Sequence, residues 1–308
     1  MTDDRTGNRP NQSVALIGIG FMGKGIATSL LKKGRSLWLL EGRARESLKQ
    51  LSASGAKIAN DIGSLCNEVR RIILCLPSSA EVEAVCRGDH GLLNAALPGT
   101  IILDCSTSHP GSTLQLHKEF SDRGVFFFDA PLTRTPREAA EGRLNCILGG
   151  GEEAGAAVAV LSDFCENIFR AGPVGSGHLL KLLNNGLSLG MAALAGEVIR
   201  AAIALNADLH ILRRIVSGGG ANSAPFQGIM EWLLEDDRAA LLFSLSNGLK
   251  DLDYLHGIAK EEGIDLRILS SISDEYGNAL ARFGENATLP MLCGHQAGAA
   301  KTVNPSIP

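Results

Sequence analysis

The sequence predicts an α/β protein in which a doubly wound parallel sheet is followed by an all-α domain built on a long central helix. Strand-like and helix-like stretches alternate over residues 14–172, which is the pattern of a parallel sheet covered by helices. Residues 71–77, RIILCLP, form a continuous apolar run, as expected of a strand buried on both faces. Residues 177–206 lack proline and are rich in leucine, alanine and glycine, which is typical of a helix buried between other helices.

A glycine-rich turn opens the first βαβ unit. Residues 14–19 form a short apolar run, and Gly18, Gly20 and Gly23 have the G-x-G-x-x-G spacing before a helix-like stretch. In dinucleotide-binding proteins the first glycine allows a tight turn, the second lets backbone approach a pyrophosphate, and the third lets helix and strand pack closely. The pattern predicts dinucleotide binding in a Rossmann-type domain, with a purely structural turn as the alternative. Glu41, at the end of the second strand, would accept the ribose hydroxyls of NAD.

The remaining elements follow from the same periodicity. We predict a second strand at 36–41, helices at 43–54, 78–86 and 110–123, and strands near 57–59 and at 71–77, 101–107, 125–130 and 145–150. Composition changes after Pro173, and segments 208–217, 225–234, 247–262 and 265–283 have helical patterns. We therefore expect a disordered tail at 1–12, an NAD(P)-binding Rossmann domain at 13–173, an all-α domain for substrate and oligomer contacts at 174–295, and a C-terminal tail at 296–308.

Composition restricts the partners and the compartment. The net charge of −4, the pI near 6.0 and the aromatic content of 5% argue against nucleic acid or an anionic membrane as a partner. The seven cysteines include no C-x-x-C pair and no zinc-type Cys/His cluster, so we expect buried reduced thiols and no metal. We see no secretory signal and no apolar stretch of membrane-spanning length, and we expect a cytoplasmic protein.

Polar groups follow several predicted strands, where ligands of open α/β sheets bind. Leu76 and Pro77 end one strand, and Ser106 and Thr107 end the next. The hydroxyl pair could hydrogen-bond a nicotinamide amide or a substrate carboxylate. The alternative is that it caps the helix that begins near Pro110.

Two further groups of polar residues are candidates for chemistry. Arg134, Arg137 and Arg143 lie between two strands, and arginine suits bidentate anion binding, although any one of them could be solvated surface. Lys181 and Asn185 are four apart in an otherwise apolar helix and therefore share one face. Such a lysine either extends to solvent or stands in a cleft, and the neighbouring Asn185 favours the cleft.

Six motifs together resemble the β-hydroxyacid dehydrogenase family, which includes 3-hydroxyisobutyrate dehydrogenase and tartronate semialdehyde reductase. In order they are GIGFMG, CLPSSAEVEAV, DCST, DAPLTRTP, GSGHLLKLLNN and GLKDLDYLHGIAKEEGI. The resemblance covers residues 13–295 and implies a Rossmann domain that binds NAD(P), an all-α domain and a site between them. It also implies a homodimer or homotetramer, which the apolar stretch 186–204 favours as well.

The resemblance assigns roles residue by residue. Lys181 matches the catalytic lysine, Asn185 its substrate-binding companion, and Thr107 the threonine that lies near nicotinamide and substrate. Phe243, Lys250 and Asp251 match a later pattern that helps to close the cofactor site. The expected cofactor is NAD, with NADP as the alternative, and its expected contacts are Gly18, Gly20, Phe21, Met22, Gly23, Glu41, Leu76, Pro77, Thr107, Phe243 and Lys250.

The substrate loop departs from the family pattern. Members with small hydroxyacid substrates usually read DAPVSGG, whereas this chain has Thr133, Arg134 and Thr135 in place of the serine and both glycines. A similar arginine–threonine variant occurs in the sulfolactaldehyde reductase branch. We therefore expect Thr133, Arg134 and Thr135 to bind substrate, with Arg134 holding an anionic terminus, and 3-hydroxyisobutyrate itself becomes doubtful.

The function expected on this basis is an NAD(P)-dependent dehydrogenase or reductase (EC 1.1.1.-). It would interconvert a small anionic β-hydroxyacid and its semialdehyde, with Lys181 as general acid and base. One alternative is a nucleotide-binding regulatory module without catalysis, and relatives of that kind have lost the lysine. Another is an imine reductase of the same architecture, and those enzymes typically lack the lysine too. The presence of Lys181 counts against both alternatives.

Overall fold

The structure is a computed structural model that describes residues 13–42 and 44–294. The expected tails at 1–12 and 296–308 lie outside these described residues, as does Arg43. The chain divides into two compact units, one ending at Lys181 and the other beginning at Leu182. The division falls within a helix, eight residues beyond the boundary expected from composition.

A six-stranded parallel sheet forms the centre of the first unit. Its strand order is β3-β2-β1-β4-β5-β6, the doubly wound order predicted from the alternating pattern. Ile72, Ile102 and Phe127 belong to one buried cluster, and Leu16, Leu103 and Phe128 belong to another. Because neighbouring residues of a strand point to opposite faces, the sheet is buried on both sides. The strands are β1 (Ser13–Ile17), β2 (Ser36–Leu40), β3 (Lys57–Ala59), β4 (Arg71–Leu74), β5 (Ile101–Asp104) and β6 (Phe126–Asp129).

Helices connect these strands and cover the sheet. Helix α3 begins after Asp61, whose side chain accepts a hydrogen bond from the backbone N–H of Ser64 in a capping box. Helix α6 begins with proline at its first position, where the missing N–H removes no helical hydrogen bond. The helices are α1 (Phe21–Lys32), α2 (Arg45–Ala53), α3 (Ile62–Glu68), α4 (Ser79–Arg87), α5 (Leu92–Ala95) and α6 (Pro110–Ser121).

A second, three-stranded sheet follows β6. It has the order β7-β8-β9 and consists of β7 (Leu132–Thr133), β8 (Leu144–Gly149) and β9 (Cys165–Gly172). Helices α7 (Pro136–Glu141) and α8 (Gly155–Leu161) connect its strands. We expected residues 145–150 to join the doubly wound sheet, but they pair with β7 and β9 instead. Pro131 lies between β6 and β7, and its carbonyl accepts a hydrogen bond from the N–H of Ile147 at 3.0 Å, so residue 147 bonds to the segment after β6 and not to β6 itself.

The second unit is helical over its described residues, as predicted, apart from an isolated bridge between Ser244 and Thr288. Tyr276 is fully buried at its centre, and its hydroxyl donates to the carbonyl of Leu189 at 3.1 Å. Close packing requires glycine at Gly248, where a Cβ atom would lie 2.6 Å from the Tyr276 ring. The helices are α9 (Ser176–Ala204), which begins in the first unit, α10 (Leu209–Ser217), α11 (Ala224–Leu234), α12 (Leu245–Glu261) and α13 (Arg267–Phe283).

Helix α9 has one buried and one exposed apolar face. Leu189 and Ala192 pack into the core of the second unit, whereas Leu187 and Leu194 are exposed. By length and composition α9 is also the one helix of the described residues that could cross a membrane, so our exclusion of any such stretch was too strict. The core helix of a soluble protein meets the same criterion.

Candidate active site

The glycine turn has the geometry that dinucleotide binding requires. Gly18 has φ +99°, and a Cβ atom there would lie 2.2 Å from the carbonyl oxygen of Cys75. A Cβ atom at Gly23 would lie 2.0 Å from the carbonyl oxygen of Gly18, so the third glycine permits the close contact between α1 and the turn after β1. At Gly20 a Cβ atom would meet nothing within 4 Å. That open approach fits a pyrophosphate group.

The first turn of α1 also suits an anion. Gly20 is its N-cap and makes no side-chain capping bond, which leaves the first backbone N–H groups of the helix for a ligand. Phe21 is exposed at the start of the helix, and Met22 packs on the buried core. These two residues and the glycines would hold the pyrophosphate of NAD(P), and their contacts with it stay a prediction.

Three other predicted cofactor contacts lie at strand ends: Leu76, Pro77 and Glu41. The N–H of Leu76 donates to the hydroxyl of Ser106 at 2.9 Å, so the segments that follow β4 and β5 are joined. Leu76 also approaches Gly18, and Pro77 follows it with an exposed ring. Glu41 is exposed directly after β2, where its carboxylate could accept hydrogen bonds from the ribose hydroxyls. Its backbone N–H donates to the carbonyl of Ala59 at 2.9 Å.

Asp104, at the end of β5, organises the loop that carries Thr107. Its Oδ1 accepts from the N–H of Ser106 at 3.0 Å and its Oδ2 from the hydroxyl of Ser108 at 2.7 Å. Thr107 lies between these two anchored residues and is half-buried. The N-cap of α6 is His109, so the capping alternative for Ser106 and Thr107 is wrong.

Asp129, at the end of β6, holds the start of α9. Its Oδ1 accepts from the N–H of Gly175 at 2.8 Å and its Oδ2 from the N–H of His178 at 3.0 Å. Cβ atoms at Gly149 and Gly177 would lie 2.2 Å and 2.8 Å from its carboxylate oxygens, so both glycines make room for it. A carboxylate at a helix N-terminus is stabilised by the free N–H groups and by the helix dipole.

Lys181 lies one turn after His178 and is 8% exposed. Asn185 follows one turn later on the part of α9 that belongs to the second unit, and its Nδ2 donates to Asp251 Oδ2 at 2.6 Å. Lys250 Nζ pairs with Asp251 Oδ1 at 2.8 Å and lies 4.9 Å from the centre of the Tyr254 ring. The carboxylate of Asp251 thus fixes the side chains of Asn185 and Lys250. Phe243 packs against the core of the second unit.

The predicted substrate loop is tied to its neighbours. Arg134 Nη1 donates to Glu166 Oε2 at 2.5 Å and to the carbonyl of Arg143, and its Nε lies 3.8 Å from Glu138 Oε1. Thr135 caps α7, where its hydroxyl accepts from the N–H of Glu138 at 3.4 Å. The hydroxyl of Thr133 accepts from Asn145 Nδ2 at 3.3 Å. All three side chains therefore have partners within the protein, and their roles toward substrate stay predictions.

Comparison with models of protein families shows to which family the chain belongs. Residues 13–172 match the model described as the NAD binding domain of 6-phosphogluconate dehydrogenase. Residues 175–291 match the model described as NAD-binding of NADP-dependent 3-hydroxyisobutyrate dehydrogenase. The chain belongs to the β-hydroxyacid dehydrogenase family.

Individual relatives of this β-hydroxyacid dehydrogenase agree with the assignment. An NAD-dependent L-serine dehydrogenase of Pseudomonas aeruginosa is 33% identical over 227 residues, which cover 71% of this chain and 76% of that protein. A 3-sulfolactaldehyde reductase of Escherichia coli is 28% identical over 274 residues, which cover 87% and 90%. The solved structure of Psf3 in complex with NADP+ and 2-OPP has a TM-score of 0.84 at 25% identity and covers 91% of this chain and 99% of that one.

The family assignment fixes the class of enzyme. This β-hydroxyacid dehydrogenase is an NAD(P)-dependent oxidoreductase that acts on a CH–OH group. Arg134 occupies a position where small-substrate members usually have glycine, and it keeps a left-handed φ of +81°. Because a residue other than glycine is strained in that conformation, the surrounding structure holds Arg134 against its own backbone preference.

The sequence analysis does not single out two residues of this region, His178 and Thr113. Asp129 lies at a strand end where polar groups are expected, but the sequence gives it no specific role. His178 is fully buried, and its Nδ1 lies 2.7 Å from the hydroxyl of Thr113. A histidine within an apolar helical run was the available signal, but its partner is 65 residues away and no local spacing points to it.

Proposed function

We propose that this enzyme interconverts a small anionic β-hydroxyacid and the matching semialdehyde, with Lys181 as general acid and base. The observation that carries the proposal is the near-complete burial of Lys181 on a helix that Asp129 holds at the sheet's carboxyl edge. A lysine that is 8% exposed keeps little of its hydration, and a buried titratable group at the edge of a ligand-binding sheet is a candidate for proton transfer at a substrate oxygen.

The reaction needs few groups from the protein. Bound NAD(P) supplies or accepts the hydride. In the direction of reduction Lys181 would donate a proton to the oxygen that gains negative charge, and in oxidation it would take the proton from the hydroxyl. Asn185, one turn further along α9, would hydrogen-bond the substrate or Lys181 while Asp251 fixes its amide. The hydroxyl of Thr107 would hydrogen-bond the substrate or the nicotinamide amide.

The substrate would carry a carboxylate or a sulfonate. Support comes from the relatives named L-serine dehydrogenase and 3-sulfolactaldehyde reductase. Arg134 would bind this group in one of two ways. It could donate a hydrogen bond from Nη2, which has no partner among the described residues, or the substrate anion could replace Glu166 in the ion pair with Arg134. Thr133 would add a hydroxyl, and Thr135 would hold the loop through its cap on α7.

A substrate panel tests the proposal directly. Short hydroxyacids and semialdehydes, including sulfonates, are assayed with both cofactors by the absorbance of the reduced nicotinamide. Cyclic imines are included to test the imine reductase alternative. We expect turnover of an anionic hydroxyacid or semialdehyde. Cofactor binding with no turnover of any compound would favour the regulatory module, and turnover of imines alone would favour the imine reductase.

A variant of Lys181 tests its role. Lys181→Met keeps the length of the side chain and removes the amine, so kcat should fall by about 10²–10⁴. Cofactor affinity should be unchanged. Lys118→Met, at an exposed lysine on α6, is the matched control and should keep full activity. If Lys181→Met also kept full kcat, Lys181 would not be the general acid and base.

A further inference from the structure

A polar cluster between β5, α6 and α9 includes two residues, His178 and Thr113, that have no role in the chemistry described above. His178 is fully buried, and its two ring nitrogens face different elements. Nδ1 lies 2.7 Å from the hydroxyl of Thr113 on α6. Nε2 has no hydrogen-bond partner among the described residues and lies 3.8 Å from Asp104 Oδ2. This cluster of His178, Thr113 and Asp104 lies entirely within the first unit.

Stability alone does not account for the cluster. A buried imidazole with an unpaired nitrogen and a buried carboxylate both lose hydration, and apolar side chains of similar volume would fill the space without that cost. Asp104 already holds the Thr107 loop through Ser106 and Ser108. The same carboxylate lies 3.8 Å from the imidazole on α9, so the loop and the helix come close together at this cluster.

Helix geometry connects His178 with Lys181. Residues three apart are neighbours on a helix surface, and the helix rises about 1.5 Å per residue. Asp129 binds the backbone N–H groups at the start of α9 and therefore fixes where the helix begins. The contact of the His178 side chain with Thr113 adds a second anchor on another element. Together the two anchors limit rotation of the helix about its axis, on which the direction of Lys181 depends.

We propose that His178, Thr113 and Asp104 form a positioning device that sets Lys181 of α9 against the Thr107 loop. The cluster touches no reacting atom and acts through the helix and the loop. The inference rests on the proposed function of Lys181, because positioning matters for turnover only if Lys181 transfers the proton. Its structural part, the anchoring of the first turns of α9, can be tested without any substrate.

Variants at His178 separate the two contacts of the imidazole. His178→Leu removes both nitrogens, whereas His178→Asn places an amide near the position of Nδ1 and can keep the contact with Thr113. Thr113→Val removes the hydroxyl partner and leaves His178 in place. The matched control is His117→Asn, because His117 also lies on α6 and its Nδ1 is 3.0 Å from the carbonyl oxygen of Phe127.

The kinetic measurement distinguishes positioning from a loss of stability. Misplacement of about 1 Å can cost about a hundredfold in rate, so we expect kcat of His178→Leu to fall about ten- to hundredfold, with NADH affinity unchanged. The deuterium isotope effect on kcat should rise with deuterated cofactor or substrate, because hydride transfer becomes slower relative to product release. His178→Asn should recover part of kcat. His117→Asn should change neither kcat nor the isotope effect.

Amide hydrogen exchange tests the anchoring independently. Exchange over residues 176–181 should be faster in His178→Leu and Thr113→Val than in the wild type and in His117→Asn. If the wild type turns over no substrate, the proposed function fails and exchange alone decides the anchoring. Unchanged exchange over these residues overturns the inference, and so does a folded His178→Leu enzyme with unchanged kcat and isotope effect. If His178→Leu does not fold, His178→Asn and Thr113→Val are measured against the same outcomes.

Discussion

Replacing Gly20 with alanine should weaken cofactor binding and leave the fold intact. An added Cβ atom meets no protein atom within 4 Å, and the backbone angles of Gly20, φ −67° and ψ −163°, are accessible to alanine. The expected loss of stability therefore comes only from the weaker preference for alanine at an N-cap, and it is about 1 kcal/mol or less.

The effect on the cofactor follows from contact distances. A pyrophosphate oxygen that accepts from a backbone N–H approaches to about 2.9 Å, whereas a methyl carbon keeps neighbouring atoms at about 3.5 Å or more. The methyl group would displace the oxygen from at least one N–H. A hydrogen bond to a charged group contributes about 1.5–3 kcal/mol, which corresponds to a Kd about ten- to hundredfold higher.

Calorimetric titration with NADH and NADPH, together with thermal unfolding, measures both effects. Gly23→Ala is the contrasting variant, because its Cβ atom would lie 2.0 Å from a backbone oxygen and should lower both Tm and affinity. Gly277→Ala, in α13 with open space around it, is the control and should raise stability by about 1 kcal/mol without changing Kd. A Gly20→Ala protein that binds both cofactors as tightly as the wild type would refute the reasoning.

Three further predictions follow from the site and from α9. Arg134→Ala should raise KM for the best anionic substrate about ten- to hundredfold with kcat little changed, and Arg134→Lys should rescue it only in part. Glu166→Gln should lower that KM, because Arg134 then loses its ion-pair partner and is free to bind the substrate. An unchanged KM in Arg134→Ala would mean that Arg134 serves only its ion pairs with Glu166 and Glu138. Glu41 should make the enzyme prefer NAD to NADP, because a carboxylate repels a 2′-phosphate, and a higher kcat/KM with NADPH would contradict this. The exposed face of α9, with Leu187 73% and Leu194 64% exposed, should form a homo-oligomer contact. Light scattering that gives 32.4 kDa for the wild type at micromolar concentration would exclude that contact, and Leu187→Glu should produce such a species.

Local sequence patterns predict the strands and helices whose buried residues recur at a regular spacing. The apolar run at 71–77 gives β4, although the strand ends at Leu74 because the N–H of Leu76 turns to Ser106. The proline-free segment gives α9 with its start one residue earlier than expected. Strand β9 was not predicted, because most of its residues are exposed or half-buried and Phe169 is 56% exposed. Without a buried face, apolar residues do not recur at the period from which a strand is predicted.

The same distinction holds for the candidate site. The glycine turn and the pair Lys181 and Asn185 are encoded by spacing within one element, so sequence alone predicts them. The contact between Arg134 and Glu166 joins residues 32 apart, and the contact between Thr113 and His178 joins residues 65 apart. Such contacts depend on how the strands are ordered in the sheets, which no local spacing encodes. The left-handed backbone of Arg134 is hidden for a related reason, because its residue type gives no indication of a positive φ.

The carboxylate of Asp129 and the two glycines around it restrict how this region can change during evolution or engineering. A side chain larger than hydrogen at Gly149 or Gly177 collides with Asp129, and a longer acid at position 129 would collide with both backbones. Single substitutions at any of the three are therefore expected to be lost in a mutational library, even where a combined change would be tolerated. Libraries designed to alter the substrate should keep these three positions fixed and vary the Thr133–Arg134–Thr135 loop instead.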